Sequence, residues 1–262
     1  ACEEIEMPWG TVKVAYTVHP DFVLRSPKWR EVFHGDFARA LRYFEGELTW
    51  TDPEIRIIKS ASELAYSIKD LVEAGKPVAY DVETDAKNPL DARLRCTAIA
   101  NEDLSIVVPA LSIDGETRFF SPEEDAEVQA ILCLFLKLCP LPLMGHNAGQ
   151  YDRLVCEKEL GITPRLAADT LLLHLLVNNE MPHNLGFVTS VYTDFIEAWK
   201  AAHTAVTARS DEELHIYCAK DACVTARISG PLGREIKARD QWHLLAKEHE
   251  LQKIGTKMQR LG

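Results

Sequence analysis

The chain has 262 residues, 47% of them hydrophobic and 26% charged, enough for one large globular domain or a medium domain with appendages. Its formal charge of −11 argues against a protein that coats nucleic acid through a general basic surface. No apolar run reaches the roughly 18–20 residues that span a bilayer, and the N-terminus lacks the basic start and apolar stretch of a secretory signal, so the chain reads as cytosolic with no membrane partner.

Residues 1–52 form a first, small unit. They hold a β-like run at 12–17 and a helix at 29–44, with His19 to Arg25 between them. One strand and one helix make a thin core, so this appendage is expected to dock on its neighbour. Thr51-Asp52-Pro53 reads as the boundary turn. Residues 53–234 alternate strands and helices. A short strand at 55–59 precedes a helix at 62–73, with Ser60 or Ser62 as its N-cap. A strand follows at 77–84, then two more at 93–101 and 104–109 that form a meander. Ser121 as cap, Pro122 in the first turn and Glu123 and Glu124 behind it open a helix to 138. A strand at 141–146, a helix at 150–160 closed by Gly161 and a short strand at 165–168 come next. Asp169 opens an apolar helix to 176, residues 183–210 read as mostly helical and irregular, and a helix with acids at its favoured end covers 211–228. Strands in a meander and then alternating with helices indicate an α/β sandwich around a mixed sheet. The third unit, 235–262, continues a charged helix predicted from about 234 to 261, with Leu244, Leu245, Leu251, Ile254 and Met258 at near-helical spacing. The seven cysteines are odd in number and form no C-x-x-C, so they read as reduced thiols packed as small apolar residues.

Three clusters carry chemistry. Asp81 and Glu83 are two apart on a strand, which sends both to one face together with Ala79 while Tyr80 and Val82 point into a core. Adjacent acids repel and are costly to desolvate, and a divalent cation is the usual remedy; alone, the pair also reads as acids at a strand's solvent end. The run from His146 to Asp152 lies where a strand meets a helix, the place where open α/β sheets bind ligands. Taken alone, Asn147 or Asp152 there also reads as a helix cap. Tyr217 and Asp221, four apart on a helix, share a face, and a phenol beside a metal-bound water can orient it for attack.

In this order the clusters resemble the DEDD exonuclease superfamily in its Tyr-containing subgroup: D-x-E at Asp81 and Glu83, N-x-x-x-aromatic-D from Asn147 to Asp152, Y-x-x-x-D from Tyr217 to Asp221. The likeness covers about residues 55–232. The segment from Asp169 to Leu176 is similar to proofreading domains of family A DNA polymerases, and 248–262 resembles the helix that opens their polymerase region. Residues 17–25, with His19-Pro20-Asp21, resemble the late His-Pro-Ser motif of uracil-DNA glycosylase-like proteins, with Asp21 in place of Ser. The chain thus looks like a middle portion of a phage-type polymerase that has these parts in series.

The resemblance implies an RNase H-like fold and a 3′→5′ exonuclease that releases nucleoside 5′-monophosphates from single-stranded or frayed DNA 3′ ends. It implies two Mg²⁺ or Mn²⁺ ions, one on Asp81, Glu83 and Asp221, the other on Asp81 and Asp152, with Tyr217 orienting water. Thr84, Asn147 and Gln150 are expected substrate contacts, and Leu185 and Phe187 weaker candidates for a base wedge. A family A polymerase region, in cis or in trans, is the expected partner, because an acidic chain needs a tethered one for durable hold on a polymer. Two other readings stand beside this: an RNase D-like exoribonuclease, and a catalytically silent scaffold in a replication complex.

Overall fold

A computed structural model describes residues 2–48, 50–194 and 208–261. The N-terminal segment is a hairpin of β1 (Cys2–Met7) and β2 (Gly10–Ala15), followed by α1 (Pro20–Arg25), a 3₁₀ turn at Pro27–Trp29 and α2 (Arg30–Glu45). It holds more structure than the single strand and helix expected. The first strand, CEEIEM, carries three glutamates, which are poor strand formers and hide its alternation.

The remainder forms β3 (Glu54–Ile57), α3 (Ala61–Glu73), β4 (Val78–Thr84), β5 (Leu94–Ala100), β6 (Leu104–Pro109), α4 (Pro122–Leu138), β7 (Leu143–Gly145), α5 (Tyr151–Val155), β8 (Ala168–Asp169), α6 (Thr170–Val177), α7 (Leu185–Tyr192), α8 (Asp211–Ala238) and α9 (Trp242–Leu261). Helix starts follow local chemistry: Ser60, Ser121, Asp169, Asn184 and Ser210 each accept a backbone N–H from the first turn. After α5 the chain makes one π turn, Cys156–Leu160, and Gly161 ends it in the left-handed region. Of the stretch predicted as irregular helix, residues 195–207 lie outside the described residues.

The six-stranded sheet has the order β3-β6-β5-β4-β7-β8. β5 runs antiparallel to both neighbours, β4 and β6, and the pairs β3–β6, β4–β7 and β7–β8 are parallel. The mixed sheet is therefore as expected. One face packs on α3 and α4 through Leu64, Leu71, Leu132 and Leu136, meeting Tyr80, Val82, Ile99 and Ile106. The other face carries Cys96, Ala98 and Ala100 and meets Cys218, Ala219, Ala222 and Cys223 of α8. Small residues on both sides let helix and sheet approach closely. Leu172, Leu173, Val188, Ile228, Leu232 and Leu245 knit α6, α7, α8 and α9 into a helical core beside this layer.

The long C-terminal helix is present as expected, but it begins at Trp242 rather than at about 234. α8 runs on to Ala238 and the chain breaks at Arg239–Gln241, where Asp240 takes φ 54°; α9 is a separate helix. Helical spacing continues across the break with neither Gly nor Pro to mark it, so the turn is invisible to periodicity. Among the described residues no helix is long and apolar enough to cross a membrane.

Candidate active site

Three elements converge at the sheet face covered by α8. β4 alternates as expected: Val78, Tyr80 and Val82 join the core under α3 and α4, and Asp81 and Glu83 face the other way. Among the described residues, ligand atoms of Asp81, Glu83 and Cys218 lie within 4.8 Å of one another. Cys218 Sγ stands 3.6 Å from Asp81 Oδ2. Cys218 is one residue past Tyr217 and one helical turn before Asp221, so this contact seats the third cluster against the first. Asp221 is buried and Tyr217 half-buried against the helical core. Burial, a hydrogen bond with Cys96 and the Asp81 and Glu83 charges push the Cys218 thiol well up, so it stays protonated. The third motif was legible in sequence; the thiol inside the carboxylate cluster was not singled out there.

Asp152 arrives from the other side of β4. It sits in the first turn of α5, is buried, and its Oδ1 accepts the Val82 N–H at 3.2 Å. It lies outside the tight Asp81–Glu83–Cys218 group, as does Asp221. Burial is the main cause that raises its carboxyl; its own and the Val82 N–H pull the other way, and the Asp169 and Asp221 charges push it further, to about 7. An unfolded aspartate titrates near 3.9. Because the folded value is the higher one, the protonated carboxyl stabilises the metal-free fold fully below about pH 4. That contribution is lost as pH rises through about 7. In EDTA, melting temperature is expected to fall between pH 5 and pH 8, and Asp152→Asn should flatten that slope. Added Mg²⁺ should stabilise the wild type more at pH 8 than at pH 6, because the ion then displaces no proton. A pH-independent Mg²⁺ effect would contradict this.

The loop before Asp152 is built around Asp169. This fully buried carboxylate accepts the N–H groups of Asn147 (2.8 Å), Gly149 (3.2 Å) and Leu171 (3.0 Å), and the Gln252 amide of α9 (3.1 Å). Thr256 of α9 donates to the Gly149 carbonyl at 3.0 Å. A side chain at Gly149 would overlap Gln252, and one at Gly145 would overlap the Ala148 methyl. Asn147 takes φ 59°, which Asn tolerates better than most residues. Sequence reading found Asp169 as a helix start and as the head of the segment similar to family A proofreading domains; its role as anchor of the second motif depends on partners about twenty residues before it and over eighty after.

The expected substrate contacts fall into two groups. Asn147 and Gln150 are exposed on this loop. The Thr84 hydroxyl is engaged with the Ala86 carbonyl (3.1 Å) and the Tyr151 phenol, which also donates to Ala86. Leu185 is buried in the helical core, and Phe187 packs edge-on against Trp29 and His174. Neither lines the cleft beside Glu83.

The 3′-5′ exonuclease family model matches residues 55–237. The chain belongs to this 3′-5′ exonuclease family. The match bears out the sequence resemblance to DEDD exonucleases, whose members use divalent metal ions, and the mixed sheet flanked by helices is their RNase H-like fold. Residues 1–52 lie outside it. Among curated proteins none matches this exonuclease. Solved structures share its fold at low identity. Brucella melitensis NrnC with bound Mg²⁺ is 17% identical at a TM-score of 0.59, over 80% of this chain and 94% of that one. Escherichia coli RNase D, an exoribonuclease involved in structured RNA processing, is 16% identical at 0.59, over 78% of this chain and 50% of that one. The catalytic core of RRP6 from Trypanosoma brucei is 14% identical at 0.58, over 79% and 53%.

Proposed function

We propose that this chain removes nucleotides from single-stranded or frayed DNA 3′ ends, with Asp81, Glu83, Asp152 and Asp221 as the metal-binding carboxylates. The observation that carries the reading is that Asp81 and Glu83 of β4 meet at the face covered by α8, with buried Asp221 of α8 close enough to buried Asp152 of α5 for its charge to act on it. Buried carboxylates repel and cost desolvation energy unless cations or protons compensate them, and an all-oxygen set suits Mg²⁺ or Mn²⁺. Asp81, Glu83 and Asp221 would hold one ion, and Asp81 and Asp152 a second. The chemistry two such ions supply when bound is activation of water and neutralisation of charge on the leaving 3′ oxygen. Tyr217 orients the attacking water, and Thr84, Asn147 and Gln150 hold the terminal nucleotides. Attack on the last phosphodiester releases a nucleoside 5′-monophosphate. A paired terminus must fray to reach carboxylates set between sheet and helix.

DNA is favoured by the likeness of residues 169–176 and 248–262 to family A polymerases. Proofreading in the cytoplasm, beside a polymerase region in cis or in trans, follows as the role. Residues 1–52 would be an appendage, 53–234 the exonuclease domain and 235–262 the lead into that region. The fold shared with RNase D favours a second reading, an exoribonuclease. Matched 5′-labelled DNA and RNA oligomers, with Mg²⁺, Mn²⁺ or EDTA, separate the two. A metal-dependent ladder that shortens the DNA faster from its 3′ end is the expected result. Faster loss of RNA would favour the second reading, and inertness toward both would leave a scaffold.

A further inference from the structure

β4 and β5 slip out of register beside the acids. Glu83 pairs with Cys96 and Thr84 with Leu94, so Arg95 has no partner on β4. Such a bulge bends a strand and re-aims a side chain, and bulges concentrate next to active sites. The backbone is nevertheless held firmly, because the Arg95 carbonyl accepts from Ala110 N–H (2.8 Å) and Leu111 N–H (3.1 Å).

The Arg95 side chain lines an open cleft of about 730 Å³ with Glu83, Thr84, Lys87 and Tyr151. One guanidinium nitrogen donates to the Ile113 carbonyl at 3.3 Å. Its Nε is buried without a hydrogen-bond partner among the described residues. A buried charged donor left unsatisfied is costly, so a rigid strand that presents one beside a binding cleft is set up for an acceptor that arrives later. Asp85, on the same cleft, is already occupied: Arg93 binds it through its guanidinium at 2.7 Å and its backbone N–H at 2.8 Å. Lys87 adds a second, exposed cation to the cleft. On a molecule of charge −11 this is a local foothold for a polyanion that the surface as a whole does not offer.

We propose that Arg95 binds a non-scissile phosphate of the substrate strand as it passes Glu83, an assignment that rests on the exonuclease reading of the site. A guanidinium fork matches two phosphate oxygens and keeps its charge at any working pH. Lys87, on the same cleft, supports the strand as a mobile point charge. The scissile phosphate stays with the carboxylate cluster, and Arg95 sets the register of the strand behind it.

The test is binding of a fluorescent ten-residue oligothymidylate in Ca²⁺ over a salt series, beside its degradation in Mg²⁺, for wild type, Arg95→Gln and Arg95→Lys. Melting in EDTA serves as the folding control. Arg95→Gln is expected to bind about tenfold more weakly. Its log–log salt slope should flatten by about 0.7, the increment for one phosphate contact on a single strand. Arg95→Lys should restore most of the slope. Binding within twofold of wild type at an unchanged slope overturns the proposal. So does equal weakening in both variants with an unchanged slope, which marks a packing role, and so does failure of the wild type to bind. A wild type that binds and never shortens the oligomer removes the exonuclease reading instead, and the salt slopes still decide Arg95.

Discussion

Asp81→Asn is expected to lose about a thousandfold in exonuclease rate without losing the fold. Asp81 is the one carboxylate assigned to both ions, so its loss disturbs activation of water and stabilisation of the leaving oxygen together. Charge stabilisation by bound metal is worth several kcal/mol, and about 1.4 kcal/mol is tenfold in rate. The expected sign on stability is opposite. The side chain shares a space of 4.8 Å with Glu83 and Cys218, where two carboxylates repel. Neutralising one should leave the metal-free melting temperature equal to or above wild type. Mn²⁺, which stabilises the wild type by mass action, should lose most of that effect. Single-turnover degradation of a labelled oligomer and melting with and without Mn²⁺ check both halves. Undiminished activity would remove Asp81 from the site. A large drop in metal-free stability would show that the carboxylate holds structure instead.

The second large effect is expected at Asp169, which touches no reacting atom in this scheme. Asp169→Ala strands the Asn147, Gly149 and Leu171 N–H groups and the Gln252 amide at once. Each buried donor left unpaired costs about 1–3 kcal/mol. Some of the four can turn to water, so the net loss is expected at about 3–5 kcal/mol. For a chain of this size that is a fall of roughly 10 °C in melting temperature. Activity should fall as well, since the loop that places Asp152 loses its anchor. Asp169→Asn keeps an acceptor and the shape but removes a charge that pushes the Asp152 proton affinity up. It should therefore cost less stability than Ala and shift the pH dependence of metal stabilisation toward acid. Equal melting temperatures for Asp169→Ala and wild type would refute the anchoring role.

The positions of the acids were legible because their signals are local. Period-two alternation placed Asp81 and Glu83 on one face of β4, and i, i+4 spacing placed Tyr217 and Asp221 on one face of α8. Ser121 and Asp169 were legible as helix starts, and Ser60 as one of two candidates with Ser62, because a cap is chemistry between a side chain and the next two or three N–H groups. The second motif was legible as a strand-to-helix junction, with Asp152 in the first turn of α5. The caps and alternation also yielded the mixed sheet, since hydrophobic faces of strands and helices must find each other whatever the details.

What depends on pairing between distant segments was decided only by the tertiary structure. The Arg95 bulge is a slip of register between β4 and β5, a property of two strands that neither one states. Asp169 serves Asn147 and Gln252 across long intervals, and of its contacts sequence shows only the short-range cap. The Cys218 thiol enters the carboxylate cluster because Ala98, Ala100, Ala219 and Ala222 let α8 approach the sheet closely. The break at Asp240 leaves no mark in the spacing, because Leu244 and Leu245 continue the helical period while Leu245 packs back onto α6 and α8. The sequence determined which residues carry charge and which face of each element they occupy, since backbone geometry repeats locally. Only the folded chain decided which of those faces meet, because that is settled by packing between elements far apart in sequence.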